Sequence, residues 1–140
     1  MVETAPRLED GTPFPTTFYL TCPRAVAAVG TLESDGAMAA MTARLRADPE
    51  LRVRYHAAHR DYLARRDSIE DVPELAGISA GGMPARVKCL HVMVAHSLAA
   101  GPGVNPLGDE ALAALEPWGR SGPCVDIDGA DLGYAGPRER

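Results

Sequence analysis

Residues 81–110 read GGMPARVKCLHVMVAHSLAAGPGVNPLGDE, and the fold of the chain turns on how this stretch is taken. Gly81-Gly82 interrupts whatever precedes it. Pro84 suits a first helical turn, where a missing N–H costs nothing. Gly101-Pro102-Gly103 stops the run. The pattern predicts a helix near 83–100. At 100° per residue, Val87, Leu90, His91, Val94 and Leu98 share one face, and Cys89, Val92, Met93 and His96 lie roughly opposite. A helix apolar on most sides is central and buried. At about fifteen residues it is too short to span a bilayer.

Cys89, His91 and His96 give this helix its chemistry. Thiolate and imidazole together suit zinc or iron. Helical chelates pair residues three or four apart, whereas these separations are two, five and seven. Cys89 and His96 would stand roughly 10 Å apart along the axis, so a metal site needs ligands from elsewhere. The plain alternative is a core helix, with each histidine satisfied by one hydrogen bond and the cysteine packed as a small hydrophobe.

The rest of the chain bounds what surrounds that helix. Its 140 residues suit one domain, expected over 1–118, with 119–140 a mobile tail of Gly, Pro and Asp lacking periodicity. A net charge of −5 argues against nucleic acid as a partner. No apolar run reaches membrane length and no signal-peptide pattern is present. Three scattered cysteines make no disulfide framework. A reducing cytoplasm is therefore the expected setting, with a small anion or a protein as partner.

Thr16–Thr21 (TTFYLT) is the best strand, β-branched and aromatic. It reads as one arm of a hairpin with residues 2–5, across a turn region centred on Asp10-Gly11. Cys22-Pro23 starts a first helix. Met38, Met41 and Leu45 mark a second. Asp48 caps a third, with Pro49 first and a stripe of Leu51, Tyr55, Ala58 and Tyr62. Asp109 is expected to cap a short helix from Glu110 to Leu115. The fold class is α+β: a hairpin or small sheet packed on about five helices around the central one.

Two further constellations carry possible chemistry. The third helix is dense in arginine, and His59, Tyr62 and Arg66 share a face at spacings of three and four. With Arg86 or Lys88 they would clamp a phosphate or carboxylate. The alternative is a solvated face of intrahelical ion pairs. The loop 101–109 offers N–H groups to an anion ahead of a helix, or simply a tight path. It is not a Walker loop, because no Gly-Lys-Ser/Thr follows.

TPFPTTFYLTCPR and the 81–110 stretch resemble an actinobacterial family known as domain of unknown function 501, over about Val2 to Leu115. The resemblance implies membership and carries no assigned activity. It implies genes near those for a septum-formation protein, enolase and an exopolyphosphatase, hence cytoplasmic housekeeping. It also implies a preceding segment with a Cys-Pro motif; by that comparison this chain starts inside the family's first strand, either truncated or with its start miscalled, and one potential cysteine ligand would then be absent. The family places Cys or His at the position of Cys22, as a metal ligand would be.

The leading reading is a metal-binding protein in a structural or regulatory role, using Cys22, Cys89 and one of His91 or His96. Zinc ranks ahead of iron or an iron–sulfur cluster. Cys22 is expected to approach Cys89 more closely than Cys124. The second reading is an enzyme on a phosphorylated or carboxylated metabolite. His91 or His96 would be its acid/base, Asp109 the orienter, and Arg66, Arg86 or Lys88 the anion clamp. The third is a non-catalytic adaptor for a cell-division or polyphosphate-related partner.

Overall fold

The computed structural model describes residues 1–118. The tail expected over 119–140, and with it Cys124, lies outside the described residues. Two strands, β1 (Val2–Glu3) and β2 (Phe18–Tyr19), pair antiparallel with Val2 opposite Tyr19 and Glu3 opposite Phe18. Five helices follow: α1 (Pro23–Ser34), α2 (Ala37–Ala47), α3 (Pro49–Ile69), α4 (Leu90–Ala100) and α5 (Pro106–Ala114), with a 3₁₀ turn at Pro73–Leu75. This is the expected α+β arrangement. The sheet is shorter than TTFYLT suggested, because beyond Phe18 and Tyr19 the backbone leaves the ladder and heads for α1.

The 21-residue α3 begins where the sequence indicates. The Asp48 carboxylate accepts from the N–H groups of Glu50 and Leu51 at 2.9 and 3.0 Å, satisfying two of the helix's orphan donors. Leu51, Tyr55, Ala58 and Tyr62 are all buried, so the stripe spaced three and four apart faces the core. Met41 and Leu45 of α2 and Val29 of α1 join them.

α4 is the centre of the molecule, packed against α5, β2 and α1. Leu90, Met93, Val94, Ala95 and His96 are fully buried. Its first turn differs from expectation. The helix starts at Leu90, not near Met83, and residues 81–85 form turns. Gly81 and Gly82 take positive φ values of 66° and 93°, and the loop closes on itself through Lys88 N–H donating to the Gly81 carbonyl at 2.7 Å. Met83 and Val87 are nonetheless buried; they reach the core from a loop. The extended Cys89 (φ −153°, ψ 112°) is the residue before the helix.

α5 also begins earlier than expected. Asn105, not Asp109, is its cap, accepting from Gly108 N–H at 3.0 Å. Pro106 then occupies the first turn, where proline is tolerated. Gly108 lets α5 lie directly on α4: a Cβ there would overlap the Met93 carbonyl and the Ser97 hydroxyl.

Candidate metal centre

Glu33, one residue before the end of α1, faces the N-terminus of α4. Its Oε1 accepts the Leu90 N–H at 2.7 Å and lies 3.2 Å from His91 Nδ1. A carboxylate at a helix N-terminus is favoured by the dipole and satisfies an orphan donor. The other imidazole nitrogen, His91 Nε2, sits 3.1 Å from the Val26 carbonyl oxygen. A carbonyl can only accept, so Nε2 carries the proton. Nδ1 is then directed at Glu33, where its lone pair would repel a carboxylate unless a cation, proton or metal, lies between them.

Cys89 completes the group. One donor atom from each of Glu33, Cys89 and His91 falls within 4.8 Å of the others, and all three residues are partly buried. Cys89 is a free thiol. A tetrahedral ion with bonds of 2.0–2.3 Å needs its donors about 3.3–3.8 Å apart. The carboxylate–imidazole edge, at 3.2 Å, is close to this, and the sulfur lies within 4.8 Å of a donor atom of each partner. The group can hold a metal ion.

The structure places the expected ligands differently from the helical-wheel reading. Because Cys89 is extended, the 100° rule does not carry across it, and its sulfur joins His91 instead of His96. Cys22 precedes α1 and is disulfide-bonded, so it presents no thiolate, and it is not in the group. Its distance relative to Cys124 lies outside the described residues. Glu33 carries no mark of this role in the sequence. Its 58-residue separation from His91 leaves no spacing signal, and only the packing of α1 on α4 brings it there.

His96 is fully buried. Its Nε2 is 2.8 Å from Asp61 Oδ2 and its Nδ1 is 3.2 Å from Asn105 Nδ2. The amide nitrogen can only donate, so Nδ1 accepts and the tautomer has Nε2–H donating to Asp61. Phe18 stacks on the ring and Tyr62 meets it edge-on. Burial pushes the His96 imidazole below its ordinary range, against the raising effect of Asp61. For Asp61, burial raises, but hydrogen bonds from Arg65 and His96 outweigh it and leave the carboxyl low. The ring is thus a fully satisfied core group. Asp109 accepts from Gly103 N–H at 2.8 Å and thereby fastens the loop before α5, occupying a donor that an anion would otherwise use.

The expected anion clamp is not brought together as a unit. Tyr62 is buried and accepts the Thr17 N–H at 2.7 Å. Arg66 is buried, with its guanidinium donating to the Leu75 carbonyl at 3.0 Å, to the Ile78 carbonyl and to Asp67. His59 contacts Ser79 Oγ at 2.8 Å, and burial, followed by His56, Arg60 and Arg66, lowers its pKa. His59 and Arg66 bind the 70–80 segment to α3, and Tyr62 binds the strand residue Thr17 to it. Arg86 and Lys88 stand apart from them, exposed, in the wall of a cavity of about 690 Å³ that also includes Ser79, Gly81, Gly82 and Cys89.

A smaller cavity of about 350 Å³, walled by Phe14, Phe18, Leu20, Val26, Cys89 and His91 among others, lies on the other side of Cys89. Among the described residues, no helix is long and apolar enough to cross a membrane. No curated protein and no solved structure matches the chain. The model of one protein family, described as a protein of unknown function (DUF501), matches residues 1–113 of the 140. With four-fifths of its length covered by that model, the chain belongs to the DUF501 family.

Proposed function

We propose that this is a metal-binding protein whose site is Glu33, Cys89 and His91, and that the metal is zinc. The observation that supports it most is the setting of His91. Its Nε2–H is directed at the Val26 carbonyl while Nδ1 faces the Glu33 carboxylate, and a nitrogen of the ring lies within 4.8 Å of the Cys89 thiol. Metal-ligating histidines characteristically donate their other N–H to a carbonyl or carboxylate, which fixes the ring and the tautomer. One sulfur, one nitrogen and one oxygen donor form a borderline set that suits zinc. Three protein ligands leave one tetrahedral position for an exogenous group, as in zinc sites that take a substrate or water. A fully closed structural site has no such position.

Elemental analysis of tag-free protein, together with cobalt(II) substitution, tests this. We expect one zinc per chain and, with cobalt, the near-ultraviolet thiolate charge-transfer band of a cysteine ligand. Cys89→Ser should abolish the band. Glu33→Gln separates the two roles of Glu33, because its amide oxygen still accepts the Leu90 N–H while it is a far poorer ligand. It should weaken zinc by more than about tenfold with little loss of metal-free stability. Wild-type zinc affinity in Glu33→Gln, or a cobalt spectrum without a thiolate band, would leave only a proton between Glu33 and His91 and overturn the reading.

A further inference from the structure

Thr16, Cys89 and Val92 belong to the walls of both cavities described above. The two spaces therefore adjoin, with Cys89 among the residues between them. Their chemistry is opposite. One side is hydrophobic, built from Phe14, Phe18, Leu20 and Val26. The other carries Arg86 and Lys88 and has no Asp or Glu in its wall, although the whole chain has a net charge of −5. Neither Arg86 nor Lys88 forms an ion pair among the described residues, whereas Arg7, Arg44, Arg65 and Arg66 all do. The stems of Arg86 and Lys88 both lie against Gly82, whose positive φ and lack of a Cβ let them fold over the loop.

We infer that the combined cleft binds an amphipathic anion, a small molecule with an apolar body and one carboxylate or phosphate head. Its body occupies the Phe14–Val26 side, its head is paired by Arg86 and Lys88, and its middle passes Cys89. The smaller cavity alone is within the size range of ligand pockets. Apolar contact supplies affinity there, while the two unpaired cations fix orientation. The inference deepens the proposed metal site and rests on it in one respect: Cys89, which would hold the metal, lines both cavities, and His91 lines the smaller one.

Titration calorimetry with octanoate as the probe tests this, with 1-octanol and acetate as half-ligands, on metal-free and zinc-loaded full-length protein. Octanoate should bind metal-free protein at least about tenfold more tightly than either half-ligand. Arg86→Glu/Lys88→Glu should weaken octanoate by at least about tenfold and leave octanol unchanged; both side chains are exposed, so the fold tolerates the change. Val26→Trp, at a half-exposed position on the cavity rim, should weaken octanoate and octanol together. Zinc should tighten octanoate further. Equal binding of octanol and octanoate, or no loss in the double charge reversal, overturns the inference. So does absence of octanoate binding while zinc binds normally. Octanoate binding with this pattern in a protein that takes up no zinc would sustain the cleft and sink the metal reading, so the two failures are separate.

Discussion

Replacing Arg66 with Met keeps the aliphatic stem and removes the guanidinium. In the wild type that group is fully buried and donates to the carbonyls of Leu75 and Ile78. It also meets Asp67, but the Asp67 carboxylate is well exposed, so that pair contributes little. Hydrogen bonds from a charged donor contribute about 1.5–3 kcal/mol each, giving roughly 3–6 kcal/mol gross for the two carbonyls. Two effects reduce this. The Leu75 carbonyl keeps the Ile78 N–H at 2.9 Å, so only the Ile78 oxygen is left without its donor. The variant also no longer buries a cation, whose desolvation costs several kcal/mol. We expect a net loss of about 2–4 kcal/mol, or roughly 8–16 °C in Tm at about 4 °C per kcal/mol for a domain of this size. Urea unfolding followed by circular dichroism gives the total. Hydrogen exchange locates it, and amides of residues 72–82 should exchange faster than those of α4 relative to wild type. A loss below about 1 kcal/mol with unchanged exchange in 72–82 would refute the assignment of Arg66 as the tie that holds this segment, and with it one wall of the cationic cavity, to α3.

Gly108→Ala should destabilise by about 3 kcal/mol or more in chemical denaturation, because its Cβ has no space between α5 and the Met93 carbonyl. Thr17→Val should be neutral or stabilising, because Thr17 Oγ1 is buried without a hydrogen-bond partner while its N–H is bonded to Tyr62; a loss above about 1 kcal/mol in the same assay would show an unrecognised partner. His59 and His96 both have folded pKa values below their ordinary value, so the unfolded state binds more protons as pH falls past about 6.5. Their contribution is present above that pH and lost below it, with a limiting slope of about 1.4 kcal/mol per pH unit for each ring. Tm should therefore drop between pH 7 and pH 5, and His96→Gln should flatten that drop; an unchanged profile would place His96 outside the acid response.

The parts of the fold legible in sequence were those set by local rules. Asp48-Pro49 fixes the start of α3 because the cap carboxylate and the proline both act within one turn. The stripe from Leu51 to Tyr62 is buried because helical period alone selects a face. The start of α4 was not legible in this way. Pro84 fits a first helical turn, and residues 83–89 are apolar enough to extend the helix, but glycines with positive φ at 81 and 82 turn the chain into a loop. What then starts the helix at Leu90 is a carboxylate from another element, Glu33. A cap supplied across the fold leaves no trace in the residues it caps.

That one displaced boundary also decides the candidate site. On a helix running through 83–100, Cys89 and His96 share a face and His91 points away. With Cys89 extended just ahead of the helix, its side chain leaves the helical register and comes near His91. Both then meet Glu33. His96, left on the inner face of a fully buried helix, is enclosed by Asp61, Asn105, Phe18 and Tyr62. The two histidines of one short segment thus divide by burial. The one inside completes a polar network with no unmet valence, and the one at the rim keeps a nitrogen aimed at a carboxylate, with a thiol nearby. Residue type located the chemistry in residues 89–96. Which of these residues come together depends on a helix start displaced from 83 to 90, about two turns, and on contacts between α1 and α4 more than fifty residues apart in the chain.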